Sequence, residues 1–251
     1  MSGHSKWSTI KRKKGKADAE RGKIFGKIIR VISVAARNGG DPETNAELRN
    51  AIQLARENNM PSENIERAIK KGTGELEGVT YDEVVYEGYG PGGVAVLVKA
   101  LTDNRNRTVS EIRRLFSKYG GNLGSTGCVA WIFSQKAYFS FDREKVNQDQ
   151  ILELALEVEV DDIEIDEKVV EVTLPPSEFE NFKKMLEEKE IGYSLAEITM
   201  VPQTTVDLEG HKAEQMLTLM EQLEEQDDVQ NVYANFNIDD RVMEQLTAEQ
   251  G

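Results

Sequence analysis

Cysteine is almost missing from this chain of 251 residues. Cys128 is the only one, so no disulfide can close within the chain. Histidine is nearly as scarce, with only His4 and His211. A zinc site needs three or four Cys, His or carboxylate ligands at close spacing, and none occurs here, so no metal and no Cys–His nucleophilic pair is expected. Long apolar runs are also missing. Runs such as residues 94–98 are strand-sized, against the ~18 residues that suggest a membrane span. The first residues are polar and basic with no apolar stretch behind them, unlike a secretory leader. A reducing, cytoplasmic setting without a membrane partner is therefore expected.

Charge, in contrast, is plentiful and unevenly placed. The formal net charge is -14, which alone argues against a polyanionic partner. Residues 1–74, however, hold 16 Lys and Arg against 8 Asp and Glu, whereas the remainder holds 15 against 37. A basic segment joined to a solubilising acidic body is the pattern of a polyanion-binding module.

The apolar spacing divides the chain further. Phe25, Ile28, Ile29, Ile32 and Ala36 recur at three- and four-residue intervals and predict a helix ended by Asn38-Gly39-Gly40. A second helix is expected to start at Asp41-Pro42 and to bury Leu48, Ile52 and Ala55, and a short third carries Ile65, Ala68 and Ile69 and closes at Gly72. From residue 79 the pattern turns to strands. A hairpin is expected over residues 81–87 and 94–101, then a helix over 105–119 and a strand over 127–133. Residues 137–141, 148–158, 162–165, 169–174, 177–189 and 194–201 read as β-α-β-β-α-β, the split arrangement of ferredoxin-like domains. One more helix (212–223) and strand (229–236) bury too little alone, so they are expected to return and complete the earlier β-β-α-β piece. The fold class expected is α+β: an N-terminal three-helix bundle and two ferredoxin-like α/β domains, one inserted in the other. The corresponding limits are residues 1–76, 77–134 with 206–240, and 135–205, followed by a polar tail, 241–251.

The strongest functional signal is the basic run of Lys6, Lys11, Arg12, Lys13, Lys14, Lys16, Arg21, Lys23, Lys27 and Arg30, interleaved with His4 and Trp7. Such side chains neutralise phosphates and release counterions, and an indole adds sequence-tolerant stacking on bases. A solvated basic tail is the plainer alternative, and the charge density favours nucleic acid. A second candidate is Asn104, Arg105, Asn106 and Arg107, read either as phosphate or base contacts at a helix N-terminus or as a capped turn with solvent-facing arginines. The run Gly88-Tyr89-Gly90-Pro91-Gly92-Gly93 contains a G-x-G-x-x-G pattern, but a strand rather than a helix follows it and Pro91 lacks an N–H, so a hairpin turn is expected. Cys128 is expected inside a strand as a small buried residue. The carboxylates between Glu153 and Glu167 alternate with apolar residues as a solvated face does. No catalytic residues, cofactor or small-molecule substrate is expected, and the chain is expected to be a monomer.

Several linked motifs resemble one family. These are Gly3-His4-Ser5-Lys6-Trp7 with Ile10-Lys11, Arg21-Gly22-Lys23-Ile24-Phe25, Asn59-Met60-Pro61 and Asn64-Ile65-Glu66-Arg67-Ala68-Ile69. Tyr86-Glu87-Gly88-Tyr89-Gly90-Pro91-Gly92-Gly93, Leu101-Thr102-Asp103-Asn104-Arg105-Asn106-Arg107-Thr108 and Met200-Val201-Pro202 continue the match, which is similar to the YebC family over nearly the whole chain. The resemblance implies a helical bundle followed by two ferredoxin-like domains, one inserted in the other, and no enzymatic activity. Members are generally described as DNA-binding transcriptional regulators. Others, mitochondrial relatives included, look like translation factors acting on ribosomes stalled at sequences such as proline runs. The partner implied is nucleic acid, DNA or rRNA, with the ribosome as a possible setting. The physical balance favours RNA, because no groove-reading helix is evident and an acidic body repels a long duplex. An acidic protein-interaction scaffold is the third reading.

Overall fold

The computed structural model describes residues 18–166, 168–239 and 242, with only the backbone at 18–20. Among the described residues three helices come first: α1 (Asp18–Ala35), α2 (Ala46–Glu57) and α3 (Ser62–Thr73). Ile28, Ile32, Leu48, Ile52, Ala55, Ile65 and Ala68 form their common core. Gly72 sets the closeness of α1 and α3, since a Cβ there would run into the Ser33 carbonyl oxygen and the Ala36 Cβ. The second helix starts later than the Asp41-Pro42 signal suggests. Asp41 instead makes a turn that accepts from the Thr44 and Asn45 N–H groups, and Asn45 is the N-cap, accepting from Leu48 N at 3.0 Å. The Asn45 amide also donates to the carbonyls of Ala35 and Gly39, both at 2.8 Å, and this tie to the end of α1 fixes the start of α2. The third helix runs one residue past Gly72, and Gly74, at φ +83°, takes the left-handed position that ends it.

An antiparallel hairpin follows, β1 (Asp82–Tyr89) with β2 (Ala95–Thr102), in a register that sets Tyr86 opposite Val98 and Tyr89 opposite Ala95. Next come α4 (Arg105–Lys118) and the two-residue strand β3 (Asn122–Leu123), which pairs with β1. The strand expected over residues 127–133 does not form. Gly127 has φ +87°, Cys128 N bonds to Ser125 O in a turn, and residues 130–132 make a single 3-10 turn. Those residues therefore cannot present a ladder, and the short β3 takes the place beside β1.

The β-α-β-β-α-β series is β4 (Phe133–Asp142), α5 (Gln148–Ala155), β5 (Asp162–Ile165), β6 (Val169–Leu174), α6 (Phe179–Glu188) and β7 (Leu195–Pro202). Its sheet order is β5-β6-β4-β7, all neighbours antiparallel, which is the ferredoxin-like order. Phe139, Phe141, Val170, Val172, Leu174, Phe182 and Leu186 form its core, with Phe139 edge-on to Phe182 at 5.0 Å. The chain continues through β8 (Val206–Asp207) to α7 (Gly210–Glu224), β9 (Val229–Ala234) and β10 (Phe236–Asn237). β9 lies beside β2 in a sheet ordered β3-β1-β2-β9, and β10 pairs in parallel with β8. The described residues divide into two compact units, residues 18–128 with 210–232 and residues 129–209 with 233–239. The fold is thus α+β, built from helices and antiparallel sheets.

Candidate nucleic-acid interface

Eight of the residues singled out in the sequence, His4, Lys6, Trp7, Lys11, Arg12, Lys13, Lys14 and Lys16, lie outside the described residues. The basic run continues into α1, whose remaining members divide by position. Arg21 and Lys23 are exposed, whereas Lys27 and Arg30 are partly buried. Lys27 Nζ donates to the Glu224 carbonyl oxygen at 2.6 Å, at the end of α7. Arg30 pairs with Asp228 at 3.3 Å and lies over the Tyr81 ring, 5.5 Å from its centroid. Two turns on, in the 3-10 turn that follows α1, Arg37 donates to the Tyr81 carbonyl oxygen. Lys27 and Arg30 of α1, with Arg37 just after it, thus meet the end of α7, the residue before β1 and the turn before β9. The last two residues of the basic run, Lys27 and Arg30, hold α1 in the first unit.

The Asn104 to Arg107 group is built from the same centre. Asn104 caps α4, its side chain accepting from Arg107 N at 3.0 Å. Of the two readings considered for this residue, the capped turn describes its geometry. Arg105 pairs with Asp82 at 2.9 Å, and Arg107 bridges Asp103 at 2.6 Å and Asp228 at 2.7 Å. Asn106 is exposed on the first turn, and its carbonyl accepts from Ser110. Carboxylates therefore already neutralise both arginines.

Asp228 is the buried hub of this arrangement. It accepts from Thr108 Oγ1 at 2.6 Å, Arg107 at 2.7 Å and Thr102 Oγ1 at 3.1 Å, and faces Arg30. Burial alone would raise its carboxyl, but the donors from Thr108, Arg107 and Thr102 and the charge of Arg30 outweigh burial and hold it below its ordinary value. Those carboxylates in turn raise the Arg107 guanidinium, Asp228 first and Asp103 second. A shallow cleft opens beside the hub, with Lys23, Arg30, Tyr81 and Arg107 on its walls and Glu225 and Asp227 on its rim. Sequence reading missed Asp228, Tyr81 and Arg37. The one available signal was Asp227-Asp228 just before the last apolar strand, a pair easily taken for a solvated turn.

The remaining motifs resolve plainly. The glycine-rich run is the β1–β2 hairpin turn, with Gly92 and Gly93 at positive φ. Gly88 and Gly90 have no room for a Cβ, which would meet Asn122 O and Phe116 in one case and Met216 Sδ in the other. Cys128 is half-buried in a turn rather than in a strand, because Gly127 breaks the extended run before it. Burial first, then the nearby Glu87 carboxylate, pushes its thiol up. Among the described residues no cluster of His, Cys, Asp and Glu is placed to hold a metal ion, and no helix is long and apolar enough to cross a membrane.

Together these features define a class: an α+β protein whose basic helix α1 is tied by an ion pair and a hydrogen bond to a sheet-and-helix layer, and whose other unit is a ferredoxin-like sheet. A family model described as the TACO1/YebC protein N-terminal domain matches residues 5–75, and one described as the TACO1/YebC second and third domain matches residues 81–236. The chain belongs to the TACO1/YebC family. A relative from Syntrophus aciditrophicus, named "Probable transcriptional regulatory protein", is 58% identical over 250 residues, covering 99% of this chain and 100% of the relative. One from Syntrophobacter fumaroxidans with the same name is 57% identical over 98% of this chain and 100% of its own length. The crystal structure of a conserved hypothetical protein from Aquifex aeolicus is similar with a TM-score of 0.77 at 49% identity, covering 90% of this chain and 93% of that one.

Proposed function

We propose that the chain is a non-enzymatic regulator of gene expression that binds nucleic acid through a basic arm, residues 1–17, continued by Arg21 and Lys23. The observation that carries this reading is the concentration of ten Lys and Arg against two acidic residues within the first 30 positions. Lys27 and Arg30 anchor the base of the arm to the first unit, so the phosphate-neutralising role falls on the residues before them. The division into an N-terminal module, a discontinuous α/β module and an inserted ferredoxin-like module belongs to the same proposal.

RNA on the ribosome is the favoured target. Direct readout of duplex DNA needs a helix or a two-stranded ribbon that offers unengaged side chains to base edges. The helix best supplied with arginines, α4, has Arg105 and Arg107 ion-paired at its start. A DNA-binding regulator is the second reading, and the printed names of the relatives favour it.

The test compares the intact chain with a variant in which Lys11, Arg12, Lys13 and Lys14 are replaced by Ala, on an rRNA fragment and on duplex DNA. If about six phosphates are neutralised, affinity falls roughly a thousandfold between about 50 and 200 mM salt. The fourfold variant is expected to flatten the logarithmic salt slope by about 3. A slope unchanged from the intact chain would remove the arm as the contact.

A further inference from the structure

The fifteen Lys and Arg that follow residue 74 are spread thinly over an acidic body, with one concentration. The helix α4 carries five of them, Arg105, Arg107, Arg113, Arg114 and Lys118, against a single acidic residue, Glu111. The first two are taken up by Asp82, Asp103 and Asp228. Lys118 lies over the Tyr119 ring, 4.9 Å from its centroid. Arg113 and Arg114 are exposed, and among the described residues their guanidinium groups have no ion-pair or hydrogen-bond partner. Asn106, Ser110, Arg113, Arg114 and Ser117, spaced four, three, one and three apart, share one face of the helix and are all exposed. Thr108, Ile112, Leu115 and Phe116 are buried on the opposite face. Folding does not call for arginines on the outer face, since Arg114 stands four residues before Lys118, a like-charge spacing that weakens a helix.

This face suits a phosphate backbone. Guanidinium groups fork onto phosphate oxygens, and amide and hydroxyl side chains add donors that fix register without reading sequence. None of the five side chains is apolar, whereas a protein–protein interface is built on an apolar core. Recognition helices read duplex bases from their first turns, where the arginines of α4 are already engaged. We propose that the outer face of α4 is a second phosphate-binding surface, on which Arg113 and Arg114 each neutralise one phosphate of an RNA. The inference deepens the function proposed above and rests on it. The arm supplies most of the salt-sensitive affinity, and α4 adds two contacts at a fixed place on the folded first unit. An RNA held at both points has a defined orientation, which an arm alone does not impose.

The salt dependence of binding to an RNA hairpin, measured on the full chain, tests this surface. Arg113→Gln with Arg114→Gln removes two charges from exposed positions and is expected to keep the wild-type melting temperature. The logarithmic salt slope is expected to fall by about 1.5, so that the intact chain loses about eightfold more affinity than the variant between about 50 and 200 mM salt. Arg113→Lys with Arg114→Lys keeps both charges and should keep the slope. Lys184→Gln with Lys189→Gln, the same change of charge on and just after α6, should leave the slope within about 0.3 of wild type. A glutamine variant on α4 that matches this control would overturn the contact. Equal flattening by the lysine pair would point to disturbed structure rather than lost phosphates and would overturn it too. A change on duplex DNA with none on the hairpin would overturn RNA as the occupant. The two readings fail separately. An unchanged slope after replacing Lys11, Arg12, Lys13 and Lys14 removes the arm and leaves α4 standing, whereas an intact chain that binds neither nucleic acid removes the function and the α4 surface with it.

Discussion

Asp228 accepts hydrogen bonds from Thr102, Arg107 and Thr108, side chains 120 to 126 positions earlier in the chain. Removing it strands Arg30, which is largely buried, while Arg107 keeps Asp103 and access to solvent. Asp228→Ala is therefore expected to lose about 3 kcal/mol in chemical denaturation, the low end of the range for breaking a buried pair. A loss below about 1 kcal/mol would show that the hub holds little. Its pH dependence has a definite sign. A carboxyl held below its ordinary value contributes stability above its unfolded value, about 3.9, and that contribution disappears as pH falls through the folded value. The gap between wild type and Asp228→Asn should close below about pH 4. Glu171 has the opposite sign. Burial pushes its carboxyl up, even though the Tyr138 hydroxyl donates to it. The folded state is relatively favoured below the unfolded value of about 4.3, and that advantage is lost as pH rises through the folded value. Glu171→Gln keeps an acceptor for Tyr138 without the charge. It is expected to be at least as stable as wild type at about pH 7, and a loss of more than about 1 kcal/mol there would contradict this account of Glu171.

At the scale of elements, the packing of α1 on α3 turns on Gly72. Gly72→Ala pushes a methyl into the Ser33 carbonyl and Ala36, and overpacking of this kind costs about 1–3 kcal/mol. The variant should melt earlier, with its helices intact by circular dichroism. A wild-type melting temperature would mean that the two helices separate freely. Periodicity makes most elements legible in the sequence, because the buried faces of α1, α4 and the ferredoxin-like strands repeat at clean intervals. The β-α-β-β-α-β order follows from the succession of strand-like and helix-like apolar segments, and the family resemblance implies the same arrangement. Two local features stayed hidden. The apolar composition of residues 128–133 resembles a strand, but the positive φ of Gly127 overrides it. The start of α2 depends on Asn45 reaching the carbonyls of Ala35 and Gly39, a contact invisible to a reading that scores Asp-Pro as a helix start. The candidate site was legible only in its charge. That Arg30 and Arg107 converge on Asp228 is a fact of tertiary structure, since chain spacing carries no record of partners this remote.

At the scale of the whole molecule, the uneven charge is the organising feature. Basic residues crowd the first 30 positions, the sheet of the second unit is acidic, and carboxylates on the first unit take up the innermost arginines. An arm of this kind gives salt-sensitive binding, with sequence specificity left to other contacts or to the surroundings of the target. Arg30 pairs with Asp228 and Lys27 donates to the Glu224 carbonyl, so in the proposed reading the phosphate contacts of the basic run fall to residues 1–17 with Arg21 and Lys23. Sedimentation with ribosomes through a sucrose gradient, at low and moderate salt, puts this to the test for the intact chain and for one lacking residues 1–17. The account expects the intact chain to travel with ribosomes at low salt, to be partly released at moderate salt, and the shortened chain to stay at the top of the gradient. Equal sedimentation of both chains would contradict the arm as the contact, and an intact chain that never enters the ribosomal fractions would contradict the ribosome as the target.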